Sequence, residues 1–184
     1  MSLLVMDTST ANCTVAFNGR SACVEAPTGH AEHLADLIRQ VAPDVDRISA
    51  IVVGVGPGPY TGLRVGVVTA VTMAEALGVP VAGVCSLDGL GHVAGDAVVV
   101  TDARRREVFA ARYEKGHRVE GPVVLPPSDV ALRWPGVPVV GPAVQRYPDL
   151  GELAVLDAAD LVDVPAEFPP QPWYLREPDA KPQR

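Results

Sequence analysis

The sequence predicts an α/β protein of two lobes, the first regular and the second reduced. Three observations carry this. Short apolar runs alternate with helical periodicity over the first hundred residues, in the order of two or three strands, helix, strand, helix, strand. A Gly/Pro-rich segment, GVGPGPYTGLRVG at 54–66, joins an apolar strand to an apolar helix. After residue 97 a second strand pair opens and then gives way to proline-rich stretches. The expected division is a first lobe over 1–96 and a shortened second lobe with an irregular tail over 97–184.

The elements follow in order. LLVM (3–6) is an apolar run ending at Asp7 and reads as a buried first strand. CTVAFNGRSACVEA alternates around Asn18-Gly19, the strongest short hairpin signal. Leu34, Leu37, Ile38 and Val41 recur at i, i+3, i+4 and i+7, so 30–42 is an amphipathic helix stopped by Pro43. Residues 47–55 are the next strand. The second helix runs 61–77 and closes at Gly78 and Pro80. VAGVCS (81–86) is a strand, and a short helix starts near Leu87. AVVVTDA (97–103), a turn through ARRRE, and VFAARYE (108–114) form the second hairpin opening. Proline-rich segments at 122–127, 135–142 and 165–172 are expected to break the remainder into short pieces around one helix at 128–134.

Composition limits the function. Hydrophobic residues make up 48% of the 184, enough for a sizeable core. The net charge is −7, which disfavours a protein that grips nucleic acid alone, because phosphate contacts dominate that affinity. Cys13, Cys23 and Cys85 have no metal-binding spacing and read as reduced thiols of a cytoplasmic protein. Cys13 and Cys23 flank the Asn-Gly turn and are near neighbours across it, without a bond being expected. No basic segment followed by an apolar core opens the chain. The 63–77 run holds Arg64 and Glu75 and is too short to span a bilayer, so no membrane contact is expected.

The Gly/Pro segment has two readings. A helix N-terminus after such a loop points unpaired N–H groups forward, which suits an anion. A tight strand-to-helix connection that needs small residues is the alternative. It is neither a P-loop, lacking G-K-[ST], nor a dinucleotide fingerprint, because Pro59 or Thr61 falls where the third glycine belongs.

The second helix is nearly all apolar, and Gly62, Gly66, Ala70 and Ala74 form a ridge of small residues at intervals of four. A helix apolar all round is buried all round. The first lobe has few elements left to cover the far face, so a partner protein or a second copy is expected there. The expected interface residues are Leu34, Leu37 and Ile38 of the first helix and Leu63, Gly66, Val67, Ala70, Val71 and Ala74 of the second. Burial by the chain itself is the alternative.

LLVMDTST, GVGPGPYTGLRVG, GVCSLDGL, DARRREVF and the late WYLR together resemble the TsaB (YeaZ) family, a subunit of the bacterial machinery that makes threonylcarbamoyladenosine in tRNA. The resemblance covers most of the first lobe plus 102–109 and 174–176. It implies an actin-like ATPase (ASKHA) fold of two lobes with the C-terminal lobe reduced. The catalytic sister family, TsaD, carries a metal-binding G-V-N-H-x-E-G-H run. Here the corresponding residues are Gly83-Val84-Cys85-Ser86-Leu87-Asp88-Gly89-Leu90, with Ser86 and Leu90 in place of the histidines. Neither side chain replaces imidazole on a transition metal, and His92 is out of register, so no metal site is expected. His30 and His33 flank Glu32 in a family-like helix start and read as a solvated first turn; His117 sits in an exposed turn.

In actin-like ATPases the corner after the first strand wraps phosphate. Here that corner is Asp7-Thr8-Ser9 without glycine. A vestigial or interfacial phosphate site would use Asp7, Thr8, Ser9, Gly56, Gly58, Thr61, Arg104 and Arg105. Asp7 as a turn-stabilising side chain, and Arg104–Arg106 as a solvated hairpin tip, are the structural alternatives. No nucleophile–base pair is visible.

The resemblance implies a non-catalytic subunit that holds a TsaD-type catalytic subunit through helices one and two. It would act with a TsaE-type ATPase and meet tRNA only within the complex. No cofactor of its own is expected; a nucleotide at the interface with the catalytic partner and a homodimer when alone stay open. The rivals are an ATP-binding carbamoyl transferase or kinase of the same fold and a metallopeptidase.

Overall fold

The computed structural model describes residues 2–26 and 29–176. It has two sheets with the same plan. The first is ordered β3-β2-β1-β4-β5 and the second β8-β7-β6-β9. In the first, β1 (Leu3–Asp7) pairs antiparallel with β2 (Asn12–Phe17), which pairs with β3 (Arg20–Glu25). On its other side β1 runs parallel to β4 (Ala50–Gly56), and β4 to β5 (Val81–Cys85). The second sheet repeats this around β6 (Ala97–Asp102), with β7 (Val108–Glu114) and β8 (His117–Leu125) antiparallel on one side and β9 (Val139–Val140) parallel on the other. Both sheets set an antiparallel pair on one side of a central strand and a parallel neighbour on the other, with the second copy reduced to four strands.

The apolar run of β1 needs cover on both faces because successive side chains point oppositely. Leu4 and Met6 pack with Leu34 and Ile38 of α1 (His30–Val41) and with Val67 and Ala70 of α2 (Tyr60–Leu77). Val5 packs the other way, with Val52, Val84, Ala158 and Leu161. α2 ends where expected: Gly78 takes φ 66°, and the N–H groups of Gly78 and Val79 reach back to Glu75 and Ala74. α3 (Asp88–Ala94) follows Leu87 between the sheets, where Leu87 and Leu90 meet Val99, Ala111 and Tyr113. Tyr113 and Arg118 both donate to Asp88 Oδ1, at 2.6 and 2.9 Å, tying α3 to the second sheet.

Several expectations need correction. Residues 45–47, of which 47 was expected to open a strand, form a turn of 3-10 helix before β4. Cys13 pairs opposite Val24, and Thr14 opposite Cys23. Cys13 and Cys23 therefore point to opposite faces of the hairpin. The 122–127 stretch does not break the chain at its start. β8 continues to Leu125 because it is an edge strand, where proline is tolerated, and the pairing slips by a bulge opposite Ala111. The helix after it, α4, spans Pro127–Arg133.

The segment assigned to the second lobe also does not stay with it. Ala158 N–H donates to Thr14 Oγ1 at 3.0 Å, Phe168 bridges to Gly83, and Trp173 N–H donates to Val55 O at 2.8 Å. Residues 157–173 thus return to cover the first sheet. The irregular tail is a strap there, and its last part, 177–184, lies outside the described residues. No helix among the described residues is long and apolar enough to cross a membrane.

Candidate functional site

β1 and β4 end side by side, and the chain leaving β4 wraps the chain leaving β1. Asp7, Thr8 and Ser9 are buried. Asp7 Oδ1 accepts from the N–H and hydroxyl of Ser9 at 2.7 and 2.6 Å, an Asx turn that satisfies a sharp corner without glycine. Thr8 Oγ1 donates to Gly62 O at 2.7 Å. Gly54, Gly58, Gly62 and Gly66 all press on this corner. A β-carbon would overlap the Asp7 carboxylate at Gly54, the Ser9 carbonyl at Gly58, the Thr8 carbonyl at Gly62 and the Thr8 hydroxyl at Gly66. The glycines of the motif therefore hold the Asp7-Thr8-Ser9 corner, the tight-connection reading.

Asp7 Oδ2 has no partner in hydrogen-bonding geometry, although the Ser86 hydroxyl stands nearby. Burial pushes the Asp7 carboxyl up; the Ser86 and Ser9 hydroxyls, the Ser9 N–H and the charge of His30 pull the other way. Ser86 itself accepts from Gly56 N–H at 3.0 Å and, through its own N–H, returns a bond to Gly56 O at 2.8 Å.

The second lobe repeats the corner in a looser form. β6 ends at Asp102, whose Oδ1 accepts from Arg104 N–H at 2.9 Å, again two residues on. The hairpin then passes through Arg104, Arg105 and Arg106 at φ 63°, 49° and 62°, three successive left-handed residues. Ala103 and Glu107 close it with a 3.0 Å backbone bond. Arg146 reaches Asp102 Oδ2 at 3.3 Å.

The two corners face a cleft with three adjoining hollows of 190, 440 and 230 Å³, all sharing Pro59 and Arg104 as walls. Ser9 and Thr10 reach it from the first corner, Thr61 from the start of α2, and Arg146 from the second lobe. His30 also lines it, with Nε2 3.0 Å from Thr10 O. That corrects the expectation of a solvated first turn. The strap crosses the mouth. Tyr174 stacks on Tyr60 with centroids 4.0 Å apart, Arg64 donates to both hydroxyls at 3.0 Å, and Arg176 binds Ala103 O at 2.9 Å and pairs with Glu107.

The family model of the tRNA N6-adenosine threonylcarbamoyltransferase, TsaD, matches residues 24–156. An uncharacterized protein of Mycobacterium tuberculosis is 45% identical over 83% of this chain and 78% of its own length. The TsaB of Escherichia coli is 28% identical over 83% of this chain and 76% of its own. A solved YeaZ from Pseudomonas aeruginosa superposes with TM-score 0.75 at 29% identity, covering 95% of this chain and 99% of that one. The chain belongs to the TsaB (YeaZ) family. It spans 56% of a related protein of Mycobacterium leprae, to which it is 41% identical.

Within the TsaB family frame, the expected residues sort clearly. Of the phosphate set, Ser9, Gly58, Thr61 and Arg104 line the cleft, while Asp7, Thr8 and Gly56 lie beneath it. Arg105 is exposed on the hairpin tip. Of the interface set, Leu34, Leu37, Ile38, Leu63, Gly66, Val67, Ala70 and Ala74 are buried by this chain's own elements. This is a correction. The small-residue ridge faces inward: Gly62 and Gly66 let α2 approach Thr8, and Ala70 and Ala74 pack in the core of the first sheet. Val71 stays exposed, and Val68 beside it is 61% exposed. Ser86 and Leu90, at the sister family's histidine positions, are both buried, Ser86 under the loop and Leu90 in the inter-sheet core.

Sequence reasoning missed the cleft roles of His30, Tyr60, Arg146, Tyr174 and Arg176. WYLR was visible as a motif, but nothing local links Tyr174 to Tyr60.

Proposed function

We propose that this chain takes part in tRNA threonylcarbamoyladenosine biosynthesis as a non-catalytic subunit that binds and supports a TsaD-type catalytic subunit, with a TsaE-type ATPase. The observation that carries the reading is Ser86. At the position of a metal-binding histidine in the sister family, its buried hydroxyl accepts from Gly56 N–H, and Leu90 fills the second such position with core. The family name borne by the Escherichia coli relative supports the pathway.

The surface that fits a partner is the outer face of α2, where Val68 and Val71 lie between Arg64 and Glu75. Exposed apolar residues rimmed by charge are the usual makeup of such a contact. The test is co-expression with the catalytic subunit of the same organism. The pair should co-purify and restore threonylcarbamoyladenosine in a strain depleted of this chain. Steady ATP turnover by the lone protein, abolished by Asp7→Ala, would instead favour the enzyme reading.

A further inference from the structure

Between Glu152 and Ala158 the chain crosses from the second sheet to the first. Glu152 N–H donates to Val139 O at 2.9 Å and Gly141 N–H to Glu152 O at 3.1 Å, so Glu152 bridges in parallel to Val140 of β9. Ala158 N–H then donates to Thr14 Oγ1 on β2. In between, burial alternates. Leu153 is 55% exposed, Ala154 half-buried, Val155 51% exposed and Leu156 buried. That alternation is the pleat of an extended strand. Ala154 and Leu156 pack in the core between the sheets with Leu87, Val99 and Tyr113.

The backbone of this strand is unpaired. Among the described residues, no N–H or C=O group of 153–156 has a hydrogen-bond partner. In a strand the two main-chain groups of one residue point to one side and those of the next residue to the other. Glu152 spends its pair on β9, so the pairs of Leu153 and Val155 point away from β9. Other sheet edges are protected. The strap caps β5 through the two bonds between Phe168 and Gly83, and β8 carries Pro122 and a slipped register.

The surrounding charge is of one sign. From 147 to 175 the chain has six carboxylates, Asp149, Glu152, Asp157, Asp160, Asp163 and Glu167, and no Lys, Arg or His. They account for nearly all of the net charge of −7. Glu152 and Asp157 bracket the open edge. A second copy would set this acidic stretch against itself, and like charges across a strand pair are destabilising. A basic segment meets attraction there instead.

We infer that residues 153–156 are a docking edge for an extended basic segment of another protein, added as one more strand. Main-chain bonds to Leu153 and Val155 hold the guest strand, and its alternate apolar side chains lie beside those of Leu153 and Val155. Lysines or arginines at its two ends meet Glu152 and Asp157. The inference uses no residue of α2 or of the cleft, so it stands apart from the proposed function.

The test titrates the full chain with a fluorescein-labelled peptide of alternating valine and threonine, flanked by lysines, and reads anisotropy at low salt. Two companion peptides carry glutamates in place of the lysines, or methyl groups on alternate backbone nitrogens. The lysine peptide should bind, and more weakly as salt rises. Each companion should bind at least roughly five-fold more weakly, the scale of one lost hydrogen bond or a pair of exposed ion pairs. The amide protons of Leu153 and Val155 should exchange freely in the lone chain and become protected at saturating peptide. Val155→Pro removes an N–H that the fold does not use. It should weaken the lysine peptide by the same factor while melting stays cooperative. Asp149→Lys with Glu152→Lys, both exposed, should invert the preference between the lysine and glutamate peptides.

No binding of the lysine peptide at about 1 mM, the weak end of association, overturns the inference. So does equal binding of the methylated peptide, a preference that survives the charge swap, or protection that leaves out Leu153 and Val155. A concentration-dependent dimer dispersed by Val155→Pro would make a second copy the occupant and overturn it as well. The methylated peptide meets the unaltered chain, so that comparison decides even where a variant fails to fold.

Discussion

Gly54 lies against the carboxylate of Asp7 with no room for a side chain: a β-carbon there would stand 2.6 Å from Asp7 Cγ and 2.7 Å from Ser86 Oγ. Both neighbours are buried, so neither can swing away. Gly54→Ala should therefore destabilise the fold by about 3 kcal/mol, the upper range for overpacking. Combining it with Asp7→Ala should recover part of the loss, because the methyl then occupies vacated space. Urea denaturation of the two single variants and the double variant measures this; strictly additive losses would contradict the contact.

The raised Asp7 carboxyl makes a signed prediction about pH. Because the folded state holds this proton more tightly than the unfolded chain, the Asp7 contribution is fully present below the ordinary Asp value of 3.8 and is lost as pH rises through the folded value. Ionising it places a charge on a buried carboxyl, one of whose oxygens has no partner in hydrogen-bonding geometry. Asp7→Asn keeps an acceptor for Ser9 and removes that charge. The variant should be at least as stable as the parent at pH 7, and its advantage should shrink toward pH 4. Denaturation midpoints across that range decide the matter; an advantage that grows on acidification would be the wrong sign.

The two faces of α2 should respond differently to the same replacement. Ala70 is fully buried against the sheet, so Ala70→Arg buries a charge and should abolish cooperative melting. Val68→Arg on the outer face should leave the melting temperature within a few degrees. Pairing it with Val71→Arg should weaken association with the catalytic subunit at least ten-fold, the scale of a central contact residue. Size-exclusion of mixtures reads the second effect.

Arg176 fastens the strap to the second lobe through Ala103 O and Glu107. It is partly exposed, so the ion pair is partly screened. Arg176→Ala should cost about 1 kcal/mol, mostly the charge-assisted bond to the carbonyl. Its local signature should be faster amide exchange at Glu107 and Ala103, whose N–H groups close the hairpin tip. Unchanged exchange there would show that the tip is held without the strap.

Much of the site was present in the sequence as residue types without addresses. Asp7 was recognised as either a phosphate corner or a turn-stabilising side chain, and the Asx bond to Ser9 shows the second role at work. Gly58, Thr61 and Arg104 were named as one set and do share a cleft. His30 was read as solvated because its helix start says nothing about Thr10, twenty positions away. Tyr60 and Tyr174 stood inside motifs with nothing to link them to each other or to the cleft, and Arg146 carried no signal.

The order of elements, the hairpin at Asn18-Gly19, the stop at Gly78, the two-lobe plan and the family were determined by the sequence alone. Each depends on local periodicity, turn chemistry or a motif read over consecutive residues. Which face of α2 is covered was decided only by the tertiary structure. Hydrophobic periodicity reports that a helix must be buried, not what buries it, and here Gly62 and Gly66 seat on Thr8 while Val68 faces outward. The cleft mouth was decided the same way. Arg64 and Tyr174 are 110 residues apart, and they meet only because the strap returns across the first sheet, a contact that no local propensity encodes.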